Sequence, residues 1–189
     1  MKFTTLNKTK ARNAAKAIRH GLTLARPGAG SELLRHWPLL GIKSGTIAGY
    51  IPIHTEIDVW PLMGALVEAG HTLALPRIRR PGHPLTFHTF NVGDKLVRGP
   101  FGTKEPVRSA PVISPDVILL PLLAYARDGS RLGYGGGYYD RTLNALRSHA
   151  KIFACGVAFS GQEVPTLPTD GHDQRLDGVL TETGLRLFS

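Results

Sequence analysis

Apolar residues recur at helical spacing between Thr5 and Ala25, where Ala11, Ala14, Ala15, Ile18, Leu22 and Ala25 share one face. The opposite face carries Lys8, Arg12 and Lys16, each four residues from the next. Like charges at that spacing repel and mildly destabilise an isolated helix. They read either as a solvated basic face or as a row of cations that meets a phosphate. Pro27-Gly28-Ala29-Gly30 ends the segment, and a short second helix is expected over residues 31–37. Residues 46–53 read as a buried strand that stops at Pro52, which has no N–H to give to a ladder. Asp58 suits the N-cap of a helix carrying Val59, Leu62, Met63, Leu66 and Val67 on one face, with Pro61 in its first turn and Gly70 as its stop. Residues 72–75 form the next short strand. Strand, helix and strand with short links make a βαβ unit, hence a parallel pair.

The middle of the chain is less regular. Residues 85–90 suggest a strand, Gly93-Asp94 and Gly99-Pro100 suggest turns, and residues 101–111 suggest a loop. Residues 116–120, Asp-Val-Ile-Leu-Leu, are a strong buried strand closed by Pro121. A helix is expected over residues 137–148 with Leu143 and Leu146 inward, an apolar strand over 152–159, and a last short strand over Gly178–Thr181. Five or so strands alternating with helices imply a three-layer α/β/α sandwich with a mostly parallel central sheet and an amino-terminal basic helix. Ligands in such folds bind outside the carboxyl ends of the strands. Glu56, the stretch after Pro121 and the loop after Phe159 all follow strands, so they are candidates for one crevice.

Composition narrows the class. A chain of 189 residues suits a single domain spanning 1–189. An apolar fraction of 42% and a charged fraction of 20% exclude a disordered or coiled-coil chain. No apolar run reaches the roughly 18 residues of a membrane span, and the amino terminus lacks a signal-type apolar core, so no membrane partner is expected. One cysteine, Cys155, excludes an internal disulfide framework and fits a reducing compartment, the cytoplasm. It lies in an apolar strand and is expected to be a buried small hydrophobe. The formal charge of +9 attracts anions, whether nucleic acid, anionic lipid, nucleotide or polycarboxylate, and does not choose among them. The eight histidines show no His-Glu-x-x-His spacing and have no cysteine partners, so zinc is not expected. Trp37 and Trp60 read as core or edge packing.

The most unusual stretch is Arg131-Leu132-Gly133-Tyr134-Gly135-Gly136-Gly137-Tyr138-Tyr139-Asp140-Arg141, placed between a buried strand and a helix. Its glycines allow backbone N–H groups to turn inward and approach an anion closely. The helix amino terminus adds partial positive charge there. Arg131 can offer a guanidinium fork to a phosphate oxygen, and Asp140 can bind Mg²⁺ directly or through water. No Gly-Lys-Ser/Thr ending marks a P-loop, and Tyr138 stands where a dinucleotide fingerprint needs glycine. The plain alternative is a glycine-rich turn that only links strand to helix. Arg131 and Asp140 on its flanks favour a phosphate–metal site.

Taken whole, the stretch resembles the signature of the 5-formyltetrahydrofolate cyclo-ligase (5,10-methenyltetrahydrofolate synthetase) family, from Pro121-Leu-Leu-Ala-Tyr through Gly129-Ser-Arg131 and onward to Arg141. Lys8 and Arg12 resemble the family's amino-terminal Lys-x-x-x-Arg. Tyr50-Ile51-Pro52 followed by Glu56-Ile57-Asp58, Pro84 to Phe87, Gly99 to Gly102, Glu105-Pro106, and His172-Asp173 with Asp177 follow its remaining segments in order.

The resemblance implies an ATP- and Mg²⁺-dependent conversion of 5-formyltetrahydrofolate to 5,10-methenyltetrahydrofolate, with release of ADP and phosphate. It implies that Lys8 and Arg12 grip the ATP phosphates and that Arg131, Leu132, Gly133, Tyr134, Gly135, Gly136, Gly137, Tyr138 and Tyr139 line the ATP site. Tyr134 to Tyr138 also face the folate, Ile51 packs on the pterin and Glu56 bonds its polar edge. Asp140 and Asp173 hold Mg²⁺, and Arg131, Tyr138 and Asp140 carry catalysis. From its position alone Glu56 also reads as a solvated residue before a helix. Some relatives place a basic residue at Tyr134 or Gly136, so here the triphosphate must rely on Lys8, Arg12, Arg131, Mg²⁺ and backbone N–H groups.

The expected partners are small molecules, ATP and a folate that is polyglutamylated in some forms, acting on a monomer with no nucleic-acid partner. A basic RNA-binding module is the rival from another class. It needs aromatic residues interleaved with the cations, and the helix from Thr5 to Ala25 has none. A nucleotide-binding regulator without turnover is the third reading, and Asp140 with Asp173 speak against it.

Overall fold

Adjacent apolar residues in the central strands point to opposite faces of one sheet, so both faces need cover. The computed structural model describes residues 5–37, 41–42 and 44–188. In chain order the first elements are α1 (Thr5–Ala25), α2 (Ala29–Glu32), β1 (Thr46–Ala48), α3 (Trp60–Glu68), β2 (Thr72–Arg77) and β3 (Thr86–Thr89). There follow β4 (Leu96–Arg98), β5 (Lys104–Pro106), β6 (Val117–Pro121), β7 (Ala124–Tyr125), β8 (Arg131–Leu132), α4 (Tyr138–Arg147), β9 (Phe153–Val157), β10 (Gly178–Thr181) and β11 (Gly184–Leu187). Among the described residues, seven strands form the sheet in the order β11-β10-β9-β6-β1-β2-β3. The inner five run parallel, and β3 and β11 are antiparallel edges.

Ile47, Leu73, Leu119 and Cys155 face α2 and α3, packing with Leu33, Leu62, Met63 and Leu66. Ala48, Ala74, Ile118 and Ala154 face the other way, against Leu143 and Leu146 of α4. The result is the expected three-layer α/β/α arrangement. Cys155 is fully buried, and burial pushes its thiol up to about 12. Trp37 is buried, and Trp60 packs on Phe90 with ring centroids 5.8 Å apart. The N-cap of α3 is Val59 rather than the expected Asp58, which stands one residue ahead and accepts the Trp60 amide at 2.9 Å.

Helix α1 has the expected bounds but not the expected inward face. Ala14, Ile18 and Ala25 are exposed, and the inward row is Ala11, Arg12, Ala15, Arg19 and Leu22. Ala11 and Ala15 pack on Leu123, Ala124 and Leu132, because α1 lies over the β7–β8 hairpin rather than over the sheet. Small alanines let the helix approach that hairpin while its longer cations reach past it.

Several elements depart from the sequence pattern. Strand β1 ends at Ala48, well before Pro52, because residues 50–57 fold on themselves: Tyr50 Oη donates to Ile57 O, and the Ile53 amide donates to the Glu56 carboxylate, each at 2.9 Å. Strand β2 runs past residue 75 through Pro76 to Arg77. Its β1 partner has already ended, so the missing proline N–H breaks no ladder bond. The expected loop over 101–111 contains β5, paired with β4 around a tip at Phe101, whose φ is +60°. Buried Glu105 anchors that hairpin by accepting the Ile78 amide and facing Arg77, a tertiary contact that no periodicity reveals. Val67 is exposed rather than packed, the second helix starts at Ala29 rather than residue 31, and β11 adds an edge strand. No helix among the described residues is long and apolar enough to cross a membrane.

Candidate active site

A cavity of about 810 Å³ opens where β1, β2 and β6 give way to loops, the position expected of an α/β ligand site. Residues from every expected segment line it: Arg12 from α1, Ile51 and Glu56 from the loop after β1, Arg131 to Tyr139 from the glycine turn, Asp140 from α4, and Asp173 from the loop after β9. Lys8 is the exception. It is not on the wall, and its ammonium is held by two residues that are, Asp170 at 2.7 Å and Asp173 at 2.8 Å. Burial pulls that ammonium down, but the two carboxylates outweigh it and hold it above its ordinary value.

The glycine turn owes its shape to residues that tolerate positive φ. Gly135 has φ +101°, and Gly137, with φ +64°, caps α4. A Cβ on Gly135 would stand 3.0 Å from Arg12 Cζ. Arg12 Nε donates to Gly133 O at 3.1 Å, so the α1 cation lies across the turn. Among the described residues the amides of Tyr134, Gly135, Gly136 and Gly137 find no acceptor. Free amides beside a helix amino terminus and an arginine are a fit environment for phosphate.

Arg131 Nη2 donates to Asp140 Oδ1 at 2.5 Å, and Nη1 donates to Gln174 O. The Gln174 amide also donates to Asp140 Oδ1, at 3.1 Å. Asp173 spends Oδ2 on Lys8 and on the Asp170 amide. Each carboxylate therefore commits one oxygen to the protein and leaves the other without a partner among the described residues. That arrangement fits Mg²⁺, which takes one or two carboxylates and fills its shell with water and phosphate oxygens.

Another part of the cavity wall is more apolar. Ile51, Ile53, Leu85 and Pro121 line it with Tyr50 and Tyr139. Burial raises the Glu56 carboxyl to about 7, with the Ile53 amide and then Arg19 pulling the other way. Burial and the Glu56 charge push the Tyr139 hydroxyl up.

The sequence profile of the 5-formyltetrahydrofolate cyclo-ligase family matches residues 6–182. The chain belongs to this family. A 5-formyltetrahydrofolate cyclo-ligase of Mycolicibacterium smegmatis is 34% identical over 185 residues, covering 93% of each chain. The cyclo-ligase of Escherichia coli K12 is 33% identical over 162 residues, covering 81% of this chain and 85% of its own. Among solved structures, the 5,10-methenyltetrahydrofolate synthetase of Aquifex aeolicus superposes with a TM-score of 0.79 at 30% identity, covering 95% of this chain and 92% of its own.

Several cavity residues of this cyclo-ligase family member escaped the sequence reading. Arg141 lies on the wall with its guanidinium over the Tyr138 ring, and its buried Nε has no hydrogen-bond partner among the described residues. Its place at the end of the glycine motif was the available signal. Phe101 leans from the β4–β5 tip towards Tyr138, centroids 6.2 Å apart, and Asp170 shares Lys8 with Asp173. Arg19 is buried beside Glu56 and left no signal, since an arginine on a helix reads as solvated.

Proposed function

We propose that this family member is a single-domain enzyme that uses ATP and Mg²⁺ to close 5-formyltetrahydrofolate to 5,10-methenyltetrahydrofolate, releasing ADP and phosphate. The observation that carries the reading is one cavity with two chemically distinct parts: unbonded amides and cations around the glycine turn, and an apolar pocket ending in Glu56.

The turn amides with Arg12, Arg131 and Arg141 would hold the triphosphate, and Lys8 would join them by exchanging Asp170 and Asp173 for phosphate oxygens. Asp140 and Asp173 would hold Mg²⁺, which when bound neutralises charge on the phosphates. Ile51 would pack on the pterin, and Glu56, poised between its two charge states near neutrality, would accept from the pterin N–H edge. Tyr134 to Tyr138 bound the space where the two ligands meet.

A formamide oxygen is a poor leaving group. Transfer of the γ-phosphoryl to that oxygen makes it a good one and leaves an electrophilic iminium carbon. The substrate's N10 attacks that carbon, loses its proton, and phosphate departs as the ring closes. The protein supplies no nucleophile, only alignment and charge neutralisation. The chain's net charge of +9 also suits a polyglutamate tail. The protein acts as a monomer, without a nucleic-acid partner.

The test is the absorbance band of the methenyl product. It should grow only when 5-formyltetrahydrofolate, ATP and Mg²⁺ are all present. Folded protein that gives no band with all three overturns the proposal.

A further inference from the structure

Three separate walls of the cavity meet at one buried guanidinium. Arg19, whose side chain is 2% exposed, donates through Nε to Thr55 Oγ1 and through Nη1 to Leu122 O, each at 3.1 Å. Its Nη2 donates to Tyr134 Oη. Thr55 sits in the loop after β1 next to Glu56, Leu122 follows β6, and Tyr134 belongs to the glycine turn. Glu56 Oε1 lies 3.9 Å from Arg19 Nη1. We infer that Arg19 is a positioning residue that holds the glycine turn and the Glu56 loop in register and thereby sets affinity for the reduced folate. The inference rests on the proposed function of that cavity.

Packing alone does not account for the residue. A buried cation costs several kcal/mol of desolvation, and well-packed apolar side chains usually do as well or better. Two of the groups beside Arg19, Tyr134 and Glu56, line the cavity. Tyr134 has a half-exposed ring that also faces His54 and the Lys16 ammonium, and among the described residues its hydroxyl bonds to Arg19. Glu56 is faced by Arg19 from α1, by Tyr50 of its own loop, by Tyr134 of the turn and by Tyr139 of α4. Arg19 is the one cation in that set. Neutralising it leaves burial to push the Glu56 carboxyl higher, so that more of it is protonated at neutral pH.

Three variants separate the two effects. Arg19→Lys keeps the charge and loses the fork, Arg19→Gln keeps hydrogen-bonding capacity and loses the charge, and Tyr134→Phe removes only the tie. Initial rates would be measured with each substrate varied separately, from acid to mildly alkaline pH, beside melting temperatures. The KM for 5-formyltetrahydrofolate is expected to rise about tenfold in all three, and the KM for ATP by a clearly smaller factor, since the turn amides shift with the turn. The acid limb of kcat/KM should move to higher pH in Arg19→Gln alone. A wild-type folate KM and an unmoved limb in Arg19→Gln overturn the inference, as does an equal rise in both KM values. Should Arg19→Gln fail to fold, unchanged folate KM values in Arg19→Lys and Tyr134→Phe overturn it equally. Wild-type protein that forms no methenyl product defeats the proposed function instead, whereas an active wild type with indifferent variants defeats only the role of Arg19.

Discussion

Arg131 Nη2 stands 2.5 Å from Asp140 Oδ1, so the two ends of the glycine turn are pinned together by one ion pair. Arg131 is nearly buried, and Asp140 is about a quarter exposed at 27%. Removing one partner of a buried pair costs about 3–5 kcal/mol. Arg131→Ala leaves the more exposed partner behind, so a loss near the lower end, about 3 kcal/mol, is expected. Asp140→Asn is the cleaner probe, since its Oδ1 can still accept from Arg131 and from the Gln174 amide. It should fold with a melting temperature within a few degrees of wild type and turn over at least about tenfold more slowly. Its Mg²⁺ requirement should also rise. A rate and Mg²⁺ titration matching wild type would remove Asp140 from the metal site.

The clasp of Lys8 on Asp170 and Asp173 makes a different prediction. If the ammonium exchanges carboxylate for phosphate, Lys8→Met should raise the KM for ATP about tenfold with little effect on the folate KM. A KM for ATP that stays put would leave Lys8 as a tether for the 170–173 loop. The hydrogen bond from Lys8 lowers the Asp170 carboxyl below its ordinary range. Its stabilising share is therefore present above the unfolded value and lost as pH falls through the folded one. In Lys8→Met the low-pH unfolding midpoint should lose that component.

Two glycines of one turn should respond in opposite ways. Gly133 has no atom within 4 Å of an added Cβ and keeps ordinary backbone angles, so Gly133→Ala should melt like wild type. Gly135→Ala must hold φ +101° and push into Arg12. Positive φ costs an L-residue about 1–2 kcal/mol, which denaturant melts resolve. Equal melts for the two variants would mean that the turn is not held in this conformation.

Glu56 has a stability signature of its own. Its folded value of about 7 lies above the ordinary 4.5, so the folded state keeps a proton that the unfolded state has lost. Stability therefore falls as pH rises from the unfolded value through the folded one, by about 3 kcal/mol at most. Glu56→Gln removes this slope. Urea melts of the two proteins should diverge across that window, with the wild type losing ground as pH increases. Parallel curves would place the carboxyl in solvent.

Much of this was legible from residue order. The bounds of α1 follow from its helical period and the Pro27-Gly28 junction, β10 has the bounds expected of it, and the glycine stretch announces its own turn. Hairpins β4–β5 and β7–β8 were not legible, because two or three paired residues are too short for an alternating pattern. Their stability comes from contacts such as the one between Glu105 and the Ile78 amide. The facing of α1 was misread for a related reason. Its inward row mixes alanines with Arg12 and Arg19, and those cations face inward because distant segments, Gly133 for one and Thr55 with Leu122 for the other, supply their acceptors.

That assembly has a consequence for synthesis. Lys8 is fastened to residues 162 and 165 positions later in the chain. The wall holding Asp170 and Asp173 does not exist until residue 173 has left the ribosome. A nascent chain can build α1 and the first strands, but Lys8 has no carboxylate clasp until then. The clasp is thus a late contact, closed only after β1 to β9 have been synthesised.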